Sequence, residues 1–253
     1  MSNKTAAAIF TAIDNGNLDL IKFLLNSPDI NSFNDKFYTP LMYAGYCGKI
    51  DIFQELLKSK IINLNLRSKL NESALIIVLN AMNSFSMFDK KRYFLMIKLL
   101  ILAGADVNIL DTDGNSALSI ASIHNNYDIA ELLLNRGKNI LLDKNAFKNA
   151  CYYGNIEIVK LLIDAGIDAD VEFKTSYFIS TSTHNKIIEM ISIAKFKQNR
   201  MTENNCCVCF AHIDDAYALV PCGHTTLCKK CIDVLSYCPC CRVQIEKTMR
   251  IYQ

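Results

Sequence analysis

Apolar residues recur along most of the chain with the spacing of amphipathic helices. Segment 50–57 is a clear case, because its apolar positions lie at i, i+1, i+4 and i+5 and share one helical face. A helix of this length cannot bury such a stripe by itself, so the pattern predicts short helices that pack against neighbours. The stripe consists of Ile52, Phe53, Leu56 and Leu57.

Predicted helices of this kind come in pairs that repeat along the chain. In the clearest pair, YTPLMYAGYCGKIDIFQELLKS, Thr39 can cap a helix, Pro40 fits its first turn, and Gly48 can adopt the positive φ that ends it. A second helix then begins near Asp51. Similar pairs occur in AIFTAIDNGNLDLIKFLLN, NSALSIASIHNNYDIAELLLNRG and NAFKNACYYGNIEIVKLLIDAG, and a weaker one runs from ESALIIVLNAM into MIKLLILAGADVN.

The leucine pairs that end the second helices recur at intervals near those of a known repeat. Between successive pairs the steps are 32, 43, 33 and 29 residues. Together with the TPL start, the Gly break and the AGADVN and DAGIDAD segments, this period resembles the ankyrin repeat over residues 4–195. The resemblance implies a mainly α solenoid of about five repeats plus a degenerate cap at residues 175–195. The steps join Leu25, Leu57, Leu100, Leu133 and Leu162.

Two copies depart from the regular period. The copy around Leu75 carries about ten extra residues between its predicted helices, from Asn80 to Phe94, and the 29-residue step predicts a shortened loop. Stacked ankyrin repeats bind proteins on their concave face, so the resemblance implies a domain that recognises a protein partner, here a substrate. A spacer role for some repeats is the alternative.

Cysteine is concentrated near the C-terminus. Nine of the eleven cysteines fall between Cys206 and Cys241, and the other two are Cys47 and Cys151. The sequence shows no cleavable signal and no apolar stretch near the length that spans a bilayer, so we expect no secretion and no membrane partner. The cluster is therefore read as metal ligands before disulfides, while Cys47 and Cys151 are expected to pack as small apolar residues.

Eight residues of this cluster have the spacing of zinc ligands. The gaps between them contain 2, 12, 1, 3, 2, 6 and 2 residues. Zinc is usually four-coordinate and favours thiolate and imidazole, so eight ligands suffice for two Zn²⁺ ions. Cys207 and Cys240 have the wrong gaps and are expected to be bystanders. The eight are Cys206, Cys209, Cys222, His224, Cys228, Cys231, Cys238 and Cys241.

The string VPCGHTTLCKKCIDVLSYCPCCR, with its Cys-x-x-Cys pairs and Cys-Gly-His, resembles the RING finger. The resemblance implies a small, zinc-dependent α+β domain at residues 204–253, which linker 196–203 joins to an ankyrin domain at 1–195. It also implies crossed metal sites, in which the two ions take alternate ligand pairs. The first zinc takes Cys206, Cys209, Cys228 and Cys231, and the second takes Cys222, His224, Cys238 and Cys241.

RING fingers bind a ubiquitin-conjugating enzyme charged with ubiquitin and promote transfer to lysine without a covalent intermediate of their own. The resemblance therefore implies a ubiquitin ligase. Arg242 matches the arginine by which many RING ligases orient the charged enzyme. Packing inside the zinc domain is the alternative role for Ile232 and Leu235. The residues that match the conjugating-enzyme groove are Val208, Ile232, Leu235 and Pro239.

The tail VQIEKTMRIYQ resembles the end of inhibitor-of-apoptosis RINGs, which form dimers. The resemblance implies a homodimer in which Tyr252, beside Ile251, contacts the ubiquitin held by the other subunit. The alternating apolar pattern fits an ordinary edge strand equally well. Further predicted interface residues are Val243, Ile245 and Met249.

Charge argues against nucleic acid as a partner. The whole chain has 27 basic and 25 acidic residues, a net charge of +2, and residues 202–253 contain five of each. Seven thiolates against two zinc ions would make that segment slightly anionic, which does not suit phosphate. We expect a cytoplasmic protein (host cytoplasm if the gene is viral), with the nucleus as the alternative. A non-catalytic adaptor with a structural or dimerising zinc module is the alternative function.

Overall fold

A computed structural model gives the fold of most of the chain. It contains two compact units, Met1–Ile187 and Ile188–Gln253. No helix in the described ranges is both long enough and apolar enough to cross a membrane. The described residues are 2–84, 89–136, 143–167, 176, 179–202, 216–220, 229–233, 236 and 244–251.

The first unit is built from helix pairs. The first helices of the pairs are α1 (Ser2–Asp14), α3 (Pro40–Tyr46), α5 (Ala74–Ser84), α7 (Ala117–Ile123) and α9 (Lys144–Tyr153). The second helices are α2 (Leu18–Leu24), α4 (Ile50–Leu56), α6 (Lys90–Ala103), α8 (Tyr127–Arg136) and α10 (Ile156–Asp164). The further helices are a 3₁₀ turn at Pro28–Asn31 and α11 (Thr181–Thr202).

The pairs stack in chain order. Each of α1, α3, α5 and α7 contacts the next first helix, and the second helices from α2 to α10 contact one another in the same order. Each helix therefore buries one face on its partner and another on the adjacent pair. The mainly α solenoid predicted from the repeat period is confirmed.

The predicted apolar stripe of α4 lies in the core of the stack. Ile52, Phe53 and Leu56 are almost fully buried, as predicted, whereas Leu57, the fourth residue of the stripe, follows the end of α4 and is half-buried. Close packing of α3 on α5 requires glycine at position 45, since a Cβ there would lie 2.6 Å from Val78 Cγ2. The repeats are thus held by burial that crosses from one pair to the next.

The helix ends of the second repeat follow the sequence signals. Thr39 Oγ1 accepts a hydrogen bond from the Met42 amide at 3.3 Å, and Pro40 occupies the first helical position. Gly48 has φ of +65°, as predicted for the residue that ends α3. These local rules are confirmed by the structure.

Asparagine side chains connect successive repeats. Asn31 Nδ2 donates to the Ile61 carbonyl at 2.7 Å, while Asn31 Oδ1 accepts from the Asn63 amide at 2.9 Å. Further along, Asn155 Nδ2 donates to the Ser122 carbonyl at 2.6 Å. These bonds satisfy backbone groups at the loops and set the alignment between neighbouring pairs.

The third repeat differs from the expectation of extra residues between its helices. Helix α5 continues to Ser84 and α6 begins at Lys90, so most of the extra residues lengthen the two helices. The added turns are helical because they prolong the apolar faces: Met82 is 4% exposed and Tyr93 is 3% exposed. Residues 85–88 lie outside the described residues.

The predicted cap and linker both fall on α11. Before this helix, the Ser176 amide donates to the Tyr152 carbonyl at 2.8 Å. The helix continues through Thr202, so residues 196–202 of the predicted linker are helical. The domain boundaries at 195 and 203 stay predictions. The predicted shortened loop falls on residues 137–142, outside the described part of the chain.

The second unit contains residues 188–202 of α11, a short helix and a two-stranded sheet. Strands β1 (Ala216–Val220) and β2 (Lys247–Ile251) are antiparallel, and α12 (Lys229–Ile232) lies between them in the sequence. The α+β character predicted for this segment is confirmed.

Candidate metal centre and recognition surface

The β1–β2 ladder closes the segment that contains most of the predicted zinc ligands. Val220 pairs with Lys247, so the ladder brings together the two ends of the stretch 221–246. Among the described residues of this stretch, the Ile245 amide donates to the Ser236 carbonyl at 3.0 Å. Among the side chains described after residue 202, only Ile232 is buried. A unit this small has little room for an apolar core, so metal binding is the expected source of its stability.

Two predicted site residues lie on the single turn α12. Cys231 is half-buried, and Ile232 is 8% exposed. Burial of Ile232 agrees with the packing alternative, while its conjugating-enzyme contact stays a prediction. Cys228, the other member of the ligand pair predicted for Cys231, precedes this turn and lies outside the described residues.

Most of the other predicted site residues lie outside the described residues. Ile251 is within β2, where it pairs with Ala216. For Ile251 only the backbone position is described. The roles of the remaining residues stay predictions. These are Cys206, Cys209, Cys222, His224, Cys228, Cys238, Cys241, Val208, Leu235, Pro239, Arg242 and Tyr252.

On the repeat unit, the loops before α3, α5 and α7 share one hydrogen-bond pattern. In each loop a polar side chain accepts backbone N–H donors from the residues two and four positions later. Asn34 Oδ1 accepts from Lys36 at 3.0 Å and Tyr38 at 2.9 Å, and Ser68 and Asp111 occupy the corresponding positions. The loops are thus held in one conformation in each repeat, with their tips free to differ.

The loop tips expose apolar and basic side chains. Phe37 is 51% exposed, and Lys69 Nζ from the next loop lies 6.0 Å from its ring centroid. Phe37 has φ of 59°, which is uncommon for a residue with a side chain, and the loop hydrogen bonds hold it there. Exposed aromatic groups on a fixed backbone are well suited to protein contact.

An aromatic cluster lies on the first helices of the first two repeats. The rings of Tyr38 and Tyr46 lie 5.8 Å apart between centroids, and those of Phe10 and Tyr43 are also 5.8 Å apart in an edge-on arrangement. Tyr43 donates its hydroxyl to Asp14 Oδ1 at 2.7 Å. This hydrogen bond raises the pKa of Tyr43, so the tyrosine stays a neutral donor at physiological pH.

The two cysteines of the repeat unit have different surroundings. Cys151 is fully buried, as predicted, and burial raises the pKa of its thiol to about 12. Cys47 is only half-buried, although burial raises its pKa as well. Both thiols are therefore protonated at neutral pH, which suits packing rather than reactivity.

Comparison with known protein families identifies both units. The family of ankyrin repeats (three copies) matches residues 2–83 and 87–202, which is more than half of the chain. The chain belongs to the ankyrin repeat family. The C3HC4-type zinc finger, or RING finger, matches residues 202–248. The predicted order of three cysteines, one histidine and four cysteines agrees with this type, and RING fingers of this type bind zinc.

Individual relatives match one unit or the other. The E3 ubiquitin-protein ligase IAP-3 of Orgyia pseudotsugata multicapsid polyhedrosis virus is 40% identical over 48 residues, 19% of this chain and 18% of the viral protein. The ankyrin repeat and KH domain-containing protein mask-1 of Caenorhabditis elegans is 29% identical over 114 residues, 42% of this chain and 4% of mask-1. This chain thus spans less than a fifth of the curated relatives it matches.

Solved structures support the fold of the ankyrin repeats. The crystal structure of EF0377, an ankyrin repeat protein, matches with a TM-score of 0.59 and 19% identity. The match covers 74% of this chain and 97% of EF0377. The similarity to the IAP-3 ligase falls on the RING region and supports a RING of the inhibitor-of-apoptosis type. Ankyrin repeats imply a protein partner, and a RING implies contact with a conjugating enzyme.

The aromatic cluster was not predicted from the sequence of the ankyrin repeats. Tyr38 and Tyr46 are eight residues apart, which is not a helical neighbour distance, and Phe10 and Tyr43 belong to different repeats. An alignment of the repeats gives a signal for the first pair. Tyr38 and Glu72 occupy the same position, directly before the cap residues Thr39 and Ser73, and each contacts the side chain eight residues later. At the same position of the third repeat, Glu72 Oε1 accepts from Asn80 Nδ2 at 3.0 Å.

Proposed function

We propose that this protein is a RING-type ubiquitin ligase whose ankyrin repeats recruit a protein substrate. The observation that carries the proposal is the RING match at residues 202–248, together with 40% identity to a viral E3 ubiquitin-protein ligase over 48 residues. The ankyrin repeats supply exposed loops and aromatic side chains for substrate contact. The RING promotes transfer of ubiquitin to a lysine of the bound substrate.

In this proposal the RING holds two zinc ions in crossed sites. The metal supplies rigidity only, since a unit of this small size needs cross-links to keep one shape. Thiolate and imidazole are donors that suit zinc, and the proposal pairs Cys231, on α12, with Cys228. The first ion is bound by Cys206, Cys209, Cys228 and Cys231, and the second by Cys222, His224, Cys238 and Cys241.

Arg242 orients the charged conjugating enzyme. Its planar guanidinium can donate to ubiquitin and to the enzyme at once, which lysine cannot copy. Restricting the motion of the thioester raises the rate by proximity and orientation rather than by acid–base chemistry. The apolar patch that binds the enzyme consists of Val208, Ile232, Leu235 and Pro239.

A reconstituted ubiquitination assay with a panel of conjugating enzymes tests the proposal. Arg242→Ala should slow self-ubiquitination by at least about tenfold while zinc content is unchanged, because orientation is lost and the fold is kept. Arg67→Ala, which removes an exposed arginine from the ankyrin unit, is the matched control and should have no effect. Absence of ubiquitin transfer with every conjugating enzyme would favour the adaptor function instead.

The same proposal assigns the tail to a homodimer. Ile251 pairs with Ala216 in the β1–β2 ladder, and Tyr252 follows it directly. Removing residues 251–253 should lower the mass measured by light scattering and slow transfer. A cytoplasmic location is also proposed, and a fluorescent fusion would test it.

A further inference from the structure

The third repeat extends past its neighbours at the turn between its helices. Helix α5 has 11 residues, whereas α3 and α7 have seven each. Helix α6 begins ten residues before Leu100, whereas α4 begins seven residues before the equivalent Leu57. We call the added residues 81–84 and 90–92 the overhang.

On the side of the second repeat, the overhang and the residue that follows it are anchored. Arg92 Nη1 donates to the Gly48 carbonyl at 3.3 Å, and Tyr93 donates its hydroxyl to the Tyr46 carbonyl at 3.3 Å. A Cβ at Gly48 would lie 3.1 Å from the Tyr93 hydroxyl, so glycine leaves the room that this contact needs. The space between overhang and second repeat is therefore filled.

On the side of the fourth repeat, a groove of about 460 Å³ lies between the overhang and the start of α8. Its lining includes Met82, Phe94 and Ile129, of which Met82 is 4% exposed and Ile129 is 1% exposed. Asn126 Nδ2, from the turn before α8, donates to Asn83 Oδ1 at 2.8 Å. This bond connects the two walls, and the volume is typical of ligand-binding pockets.

The overhang side of the groove carries two exposed ammonium groups. Lys90 and Lys91 both line the groove, and neither takes part in an ion pair among the described residues. The adjacent acidic residue does not neutralise them, because Asp89 is within 3.5 Å of Arg92 instead. Two positive charges therefore line a pocket that also contains apolar side chains.

The Lys90 ammonium also acts on His124, at the end of α7. His124 has a lowered pKa, first because of burial and second because of the Lys90 ammonium. The α8 side carries one carboxylate in the groove lining, that of Asp128. A ligand with negative charge is therefore favoured beside the lysines and disfavoured beside Asp128, which gives the groove a direction.

We propose that this groove binds a segment of a partner protein in which an acidic side chain lies next to a bulky apolar one. The carboxylate would pair with Lys90 and Lys91, and the apolar side chain would pack against Phe94, which is half-buried in the lining. Burial of apolar area supplies affinity, and the charges select the sequence and its orientation. The site does not depend on the proposed ligase activity, since it uses residues of the ankyrin unit alone.

Peptide selection on the full, zinc-loaded chain tests the proposal. A random peptide library should yield peptides with Asp or Glu next to Phe, Leu or Met. The binding of these peptides, followed by fluorescence anisotropy, should weaken by about tenfold or more in K90E/K91E and less in K90Q/K91Q. K160E/K186E reverses two exposed lysines elsewhere in the unit and should bind as the unmodified chain does.

Three results would overturn the proposal. The first is a set of selected peptides in which acidic and apolar residues are not adjacent. A set that K90E/K91E binds with unchanged affinity, while the circular dichroism of this variant matches that of the unmodified chain, would count equally. The second is binding of single-stranded RNA with the same lysine dependence and no acidic peptide binding. The third is peptide binding that appears only after F85S/F88S, because the groove would then belong to the chain's own segment 85–88.

Discussion

Among the described residues, buried apolar side chains are frequent in the ankyrin repeats and rare after residue 202. Fully buried residues lie in repeat after repeat of the first unit, including Phe53, Leu79 and Phe147. After residue 202, Ile232 is the only buried side chain among those described. We therefore expect stability in the ankyrin repeats to be spread over many contacts between neighbours, and stability in the RING finger to be concentrated in a few metal–ligand bonds.

In the proposed function, this difference would suit the ankyrin repeats to recognition and the RING finger to transfer. Because each repeat contacts only its neighbours, its exposed loops can change without loss of the stack, which suits a surface that selects a partner. A metal-braced unit holds a small docking face in one shape, which suits the positioning of another enzyme. Core substitutions should therefore destabilise the ankyrin repeats locally and by graded amounts. Loss of a zinc ligand should unfold the RING finger completely.

Zinc removal is the strongest way to test the comparison. Cys222→Ala in the full chain should remove at least one of two bound zinc ions and unfold the RING unit, since one structural zinc contributes about 10 kcal/mol or more to folding. Hydrogen exchange should rise sharply over residues 202–253 and stay unchanged over 2–167. Cys207→Ala, one of the two cysteines predicted to be bystanders, is the matched control and should keep both ions.

Two results would contradict this prediction. A chain that holds a single zinc ion when unmodified would reject the crossed sites. Faster exchange throughout the ankyrin repeats after Cys222→Ala would show that the two units depend on each other for stability.

Core truncation in the ankyrin unit should have a smaller effect. Phe53 is fully buried beside Gly45, so Phe53→Ala should lower the free energy of unfolding by about 3–5 kcal/mol, measured by urea denaturation and circular dichroism. Phe23 is 83% exposed, and Phe23→Ala should change it by about 0.5 kcal/mol or less. Zinc content should be the same in both variants. Loss of zinc in Phe53→Ala would contradict the separation of the two units.

The features that sequence predicted best are those decided within one repeat. The cap at Thr39, the proline after it and the turn at Gly48 depend on neighbours in the chain, and the structure agrees at all three. The extra residues of the third repeat were misjudged because Lys90, Lys91 and Arg92 interrupt the apolar pattern. Helix persists there through tertiary contacts that local sequence does not reveal.

The candidate sites also differ in how well the sequence predicts them. Ligand spacing around Cys231 predicted a C3HC4 finger, because zinc coordination restricts residue type and gap together. The Tyr38–Tyr46 pair and the groove beside Lys90 were not predictable, since each depends on how elements separated in sequence come together. Metal chemistry leaves a pattern in the sequence, whereas a protein-binding surface is defined only after the repeats have stacked.

Removal of a single hydrogen-bond acceptor between repeats should have a smaller effect on stability than Cys222→Ala or Phe53→Ala. Asp143 Oδ2 accepts from the hydroxyls of Ser116 at 2.8 Å and Ser119 at 2.6 Å, and Asp143 Oδ1 accepts from the Asn145 amide at 2.8 Å. Asp143→Ala would leave two buried hydroxyls and a helix start without their acceptor. We expect a loss of about 1–3 kcal/mol in the free energy of unfolding.

The region that Asp143→Ala destabilises distinguishes the ankyrin repeats from the RING finger as clearly as the size of the stability loss does. Hydrogen exchange in Asp143→Ala should rise in α7 and α9, which share the lost bonds, while α1 to α4 and the zinc content stay unchanged. Asp143→Asn keeps one acceptor oxygen and should lose less, and Asp113→Ala, at an exposed aspartate of the preceding loop, is the control. Uniform exchange across all repeats would instead mean that the ankyrin unit opens as one cooperative body, as the RING unit is expected to do.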